Sequence, residues 1–61
     1  MKFTLEINCD NASFEDGMPE EIANIMSKLS RKIEGISLSD GDGWQVYDRM
    51  GNKVGHWVMS T

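Results

Sequence analysis

Residues 2–9 alternate without a break, with Phe3, Leu5, Ile7 and Cys9 on one parity and Lys2, Thr4, Glu6 and Asn8 on the other. A period of two sends the first set to one face of a β-strand and the second set to the opposite face. Such a strand cannot stand alone, because its backbone groups need hydrogen-bonding neighbours and its apolar face needs a covering layer. The other elements must supply both within a chain of 61 residues, which leaves room for one hydrophobic core and a single domain spanning 1–61.

Residues 10–18 lose the alternation and gather turn formers, which predicts a loop with Phe14 as a plug at the edge of the core. Pro19 then suits a helix start, where its missing N–H would be unpaired in any case, and Glu20 and Glu21 follow in the turn where negative charge meets the helix dipole favourably. Ile22, Ile25, Met26, Leu29 and Ile33 recur at steps of three and four, with Ile36 continuing the stripe. Lys28, Arg31 and Lys32 lie toward the far end and Gly35 is the expected left-handed terminator, so the helix is predicted over 19–34. The Ser-, Asp- and Gly-rich stretch 37–43 reads as a flexible connection. From 44 to 59 the pattern is a hairpin turning at Met50-Gly51-Asn52.

The loop of that hairpin sets which side chains face the core. A two-residue Gly51-Asn52 loop pairs Val46 with Trp57, whereas a four-residue loop from Arg49 to Asn52 pairs Val46 with Gly55 and Trp44 with Trp57. Both put Trp44, Val46, Gly55, Trp57 and Met59 on the inner face and Gln45, Tyr47, Arg49, Val54, His56 and Val58 on the outer one; only a three-residue loop exchanges the sets. The expected fold is α+β, in the order β-α-β-β, with one helix packed on a three-stranded sheet. Because the helix reverses the chain, strand 1 is expected antiparallel to strand 3 in the order 1-3-2, with strand 2 in the centre as the alternative.

Composition narrows the function. Ten acidic side chains against six Lys and Arg give a net charge of −4, which argues against nucleic-acid phosphates or an anionic membrane and points to a protein as the partner. A single cysteine, Cys9, permits no internal disulfide, and a single histidine, His56, permits no site of paired imidazoles. Cys9 continues the buried parity of strand 1 and reads as a small core side chain. The unpaired thiol and the lack of an apolar leader or membrane span point to the cytoplasm. Asp40-Gly41-Asp42-Gly43 alternates oxygen donors as calcium loops do, but the closing carboxylate needed about twelve positions on is replaced by Gly51 or Asn52. No glycine sits between a strand and a helix start to cradle a phosphate. Neither a metal nor a cofactor is expected. His56 beside Tyr47, with Asp48 or Glu6 near, has the ingredients of a proton-transfer pair. Placed on an open sheet face with no nucleophile and no pocket, these residues do not predict an enzyme.

Two surfaces remain as candidates for contact with a partner. One is the open sheet face carrying Gln45, Tyr47, His56 and Val58, and the other is an acidic rim of Glu15, Asp16, Glu20 and Glu21 at the loop and helix start. The stretch Met1-Lys2-Phe3-Thr4-Leu5-Glu6-Ile7-Asn8-Cys9-Asp10-Asn11-Ala12, then Phe14-Glu15-Asp16, Glu20-Glu21-Ile22-Ala23, Asp48, Gly51-Asn52-Lys53-Val54-Gly55 and Trp57, resembles a group of uncharacterised small proteins of phages and prophages. The resemblance implies a bacterial host cytoplasm as the setting and assigns no site residue. By analogy with anti-CRISPR proteins, it implies an inhibitor that binds a host defence or regulatory protein and blocks it by occlusion. The alternative expectation is a homo-oligomeric structural or assembly accessory protein, in which a homodimer buries Tyr47, His56 and Val58 against a second copy.

Overall fold

The alternating N-terminal segment forms strand β1 (Lys2–Ile7), and the computed structural model describes all 61 residues of the chain. A single 3₁₀ turn (Ala12–Phe14), helix α1 (Met18–Glu34) and strands β2 (Gly43–Tyr47) and β3 (Lys53–Ser60) follow. The sheet has the expected order β1-β3-β2 with β3 central and is antiparallel throughout, so the alternative with strand 2 in the centre is not adopted. Strand β1 runs against β3 from Lys2 opposite Ser60 to Ile7 opposite Gly55. Both β1 and β2 are edge strands.

Helix α1 begins one residue before Pro19 and places Glu20 and Glu21 in its first turn and Arg31 and Lys32 in its last, each matched to the dipole end it meets. Its far end differs from expectation. Gly35 has φ −93°, outside the left-handed region, and the last carbonyls are satisfied by tightened bonds from the N–H of Gly35 to Lys32 (3.3 Å) and of Ile36 to Ile33 (3.2 Å). The core between helix and sheet is built from Phe14, Ile25, Val46, Val54, Trp57 and Met59, with Leu5, Ile7, Cys9, Ile22, Leu29, Ile33 and Leu38 packed around it. Phe14 is more than an edge plug, being the most deeply buried large side chain in the molecule.

The hairpin reaches its register by a route the pattern does not show. Asp48 donates its N–H to the Asn52 carbonyl (2.9 Å) and accepts from the Gly51 N–H (3.1 Å), which leaves a three-residue loop, Arg49-Met50-Gly51. Gly51 supplies the φ of +83° that closes it. Such a loop alone would exchange the two faces of the hairpin. The exchange is undone by a β-bulge: Tyr47 lies opposite Lys53 while Val46 lies opposite Gly55, so Val54 is an extra residue on β3. Trp44 therefore faces Trp57, and the expected inner set holds. Val54 itself, expected on the outer face, is turned into the core and is 6% exposed. Gly55, beside the bulge, runs so close to β1 that a β-carbon there would collide with the Glu6 carbonyl.

The segment expected as a flexible connection, 37–43, is tied to the end of β3. The Gly41 N–H donates to the Met59 carbonyl (2.9 Å) and the Met59 N–H to the Asp42 carbonyl (2.8 Å). The Asp42 carboxylate accepts the Ser39 N–H at 2.9 Å, and Leu38 packs against the core.

Candidate functional site

Helix α1 leaves Trp44 of β2 uncovered. Trp57 and Trp44 face each other across β3 and β2 and share a side of the sheet, yet Trp57 on the central strand is 6% exposed and Trp44 on the edge is 64% exposed. Between α1 and β2 the layers part into a groove of about 620 Å³. Ile25 and Leu29 of the helix, Ile36 beyond it, and Val46 and Trp57 of the sheet line the groove, with Trp44 standing at its outer side. Lys28 and Lys32, one helical turn apart, carry positive charge along the helical wall.

The groove runs beside unpaired backbone. Because the Met59 N–H donates to the Asp42 carbonyl, the Gly43–Val58 pair is a non-hydrogen-bonded one, and alternation along an antiparallel ladder aims the backbone of Trp44 and Val46 at β3. The N–H and C=O groups of Gly43, Gln45 and Tyr47 consequently point away from the sheet, along its open edge.

The charges near the groove are unequal in availability. Neither lysine has a carboxylate within ion-pair distance, the one ion pair of the molecule being His56 with Glu6 on the other face. Asp42 also lines the groove, but its carboxylate is engaged by the Ser39 N–H. Asp48 lies at the inner end and is withdrawn into a buried hub. One of its carboxylate oxygens accepts the N–H groups of Met50 and Asn52, both at 2.9 Å. The other accepts the Ser13 hydroxyl at 2.8 Å and the Asn52 amide at 3.3 Å. Burial acts to raise the Asp48 pKa, but the Asn52 N–H, the Ser13 hydroxyl, the Asn52 amide and the Met50 N–H together outweigh it and hold the carboxyl below its ordinary value. Ser13 and Asp48 thereby lock the 3₁₀ turn that carries Phe14 to the hairpin loop that ends β2.

Glu21 completes this junction. It was expected on the acidic rim, but it is 5% exposed and accepts the Arg49 N–H at 2.8 Å, pinning the helix start to the hairpin loop. Only Glu15, Asp16 and Glu20 of that rim are exposed. The open sheet face does bring its expected residues together: Glu6, His56 and Gln45 form one row across the three strands, with Tyr47 donating its hydroxyl to Gln45 Oε1 at 2.7 Å. Val58 is half-buried beside them. His56 Nδ1 and Glu6 Oε2 are 3.8 Å apart with both side chains exposed, an arrangement that solvent screens strongly. The groove is the feature that residue-by-residue reading missed. Its signal was present in Trp44 sharing the parity of Trp57 and in Ile36 extending the helical stripe past the helix end.

No cluster of three or more His, Cys, Asp or Glu side chains is arranged to hold a metal ion, and no helix is long and apolar enough to cross a membrane. Comparison with protein-family models, curated proteins and solved structures finds no match to this chain.

Proposed function

We propose that this chain is a non-catalytic protein-binding module that acts by covering a surface of its partner, and that the groove between α1 and β2 is where contact is made. The supporting observation is the 64% exposure of Trp44 beside an apolar groove in a molecule that buries few large side chains. A tryptophan left this open loses several kcal/mol of available burial in the free molecule, at about 25 cal/mol per Å² of apolar surface, and regains it when a partner covers it. Tryptophans at the centre of interfaces are frequent dominant contributors to affinity. In keeping with the resemblance to small phage proteins, the partner is taken to be a bacterial host protein and the outcome inhibition by occlusion. Affinity capture from bacterial lysate tests the assignment. The unaltered chain and a His56→Ala/Val58→Thr variant should retain the same protein, and a Trp44→Ala/Ile36→Ser variant should lose it. Retention by the groove variant together with loss by the sheet-face variant would move the site to the open face.

A further inference from the structure

The groove and the open edge of β2 adjoin each other, and together they specify more than a hydrophobic contact. We propose that the groove takes an extended peptide segment of the partner that adds to β2 as a fourth strand, with apolar side chains beside Trp44 and acidic side chains against Lys28 and Lys32. This inference rests on the protein-binding reading above and names the chemistry of the bound segment.

Three observations carry it. Gly43, Gln45 and Tyr47 offer N–H and C=O groups in the alternating pattern that an added strand pairs with. Every second side chain of such a strand enters the groove, where Trp44, Leu29 and Ile36 present apolar surface. Lys28 and Lys32 have no carboxylate within ion-pair distance and are exposed, whereas of the two aspartates that also line the groove Asp48 is buried with both oxygens filled by internal donors and Asp42 is half-buried, so the exposed charges of the lining are the two cations. A negatively charged segment is therefore the complementary occupant. A second copy of this chain fits the same edge less well. Antiparallel pairing of β2 with itself about Gln45 sets Tyr47 opposite Gly43 and Trp44 opposite Val46, an acceptable fit of large against small. It also brings Lys28 and Lys32 of both copies to one seam, where like charges oppose docking.

The probe is a capped peptide, Thr-Glu-Thr-Leu-Thr-Val-Thr-Glu-Thr, compared with versions carrying Gln or Lys in place of Glu, each titrated into the full ¹⁵N-labelled chain. Binding of the Glu peptide should shift the Trp44 indole resonance and slow hydrogen exchange at the amides of Gly43, Gln45 and Tyr47. It should be about tenfold tighter than the Lys peptide, and a Lys28→Glu/Lys32→Glu variant should reverse that order. Equal affinity for the Glu and Lys peptides, no binding, or binding without protection of those three amides would overturn the proposal. Protection of the same amides in the protein alone, with a doubled mass in sedimentation, would also overturn it by assigning the edge to a second copy. Failure here is separable from failure of the broader reading: lysate capture that depends on Trp44 without edge protection keeps the protein-binding site and removes strand addition. Edge protection by the Glu peptide with no Trp44-dependent capture keeps the recognition chemistry and removes the cellular role.

Discussion

At the scale of single residues, a few positions carry constraints that substitution exposes. Gly55 has no space for a side chain because β1 passes over it at the Glu6 carbonyl. Gly55→Ala must therefore separate two strands of the sheet and should cost upward of about 4 kcal/mol, enough to unfold a domain of this size, as the loss of cooperative urea unfolding would report. Gly51→Ala meets no neighbour and pays only for its positive φ, so its urea midpoint should fall by the equivalent of about 1–2 kcal/mol. Asp48 makes a pH prediction with a definite sign. Its folded pKa lies below the unfolded value of about 3.9, so its contribution is fully present above that value and is lost as pH falls through the folded pKa. Asp48→Asn should lower the urea midpoint at pH 7, and its gap from the unaltered chain should narrow as pH falls below about 4. A gap that stays constant into acid would contradict an ionised Asp48 carboxylate held by these hydrogen bonds. None of these three roles was fully visible in the sequence. Asp48 and Glu21 look like surface acids in any linear pattern, and only the meeting of the 3₁₀ turn, helix start and hairpin loop makes them interior acceptors.

At the scale of elements, periodicity was sufficient for the strand at the N-terminus, for the helix and for the existence of the hairpin, because each rests on local side-chain spacing. The order β1-β3-β2 was chosen over one with β2 central because chain reversal by the helix makes it the all-antiparallel arrangement, the usual one for a small sheet with one solvated face. The hairpin loop was different: its register results from two irregularities that cancel, a three-residue loop that exchanges faces and a bulge at Val54 that restores them. Cancelling irregularities leave no periodic trace, which is why Val54 was expected outside and is found in the core. The two tryptophans test the resulting layer arrangement. Trp57→Ala should cost about 3–5 kcal/mol, whereas Trp44→Ala, at a side chain only about one-third buried, should cost about 1–2 kcal/mol. Amide hydrogen exchange offers a second check. In the free chain, Gly43, Gln45 and Tyr47 should exchange quickly and Trp44 and Val46 slowly, an alternation that uniform protection along β2 would contradict.

At the scale of the whole molecule, the helix-on-sheet arrangement leaves two quite different faces. The outer side of the sheet is polar, with its row of Glu6, His56 and Gln45, whereas the inner side packs on the helix through Val46, Trp57 and Met59 and leaves Trp44 of β2 exposed beside the groove. Charge divides along the helix instead, with Glu15, Asp16 and Glu20 exposed at its start and Lys28 and Lys32 farther along it beside the groove. The apolar groove lies beside the edge strand β2, with Lys28 and Lys32 on its helical wall. The central claim is that this opening is the contact surface. Its most direct test places a photo-crosslinking phenylalanine derivative at position 44 in one variant and at position 56 in another, with irradiation in bacterial cells. The account predicts a discrete adduct with a second protein from position 44, abolished by Lys28→Glu/Lys32→Glu, and none from position 56. An adduct from position 56 with none from position 44 would contradict it.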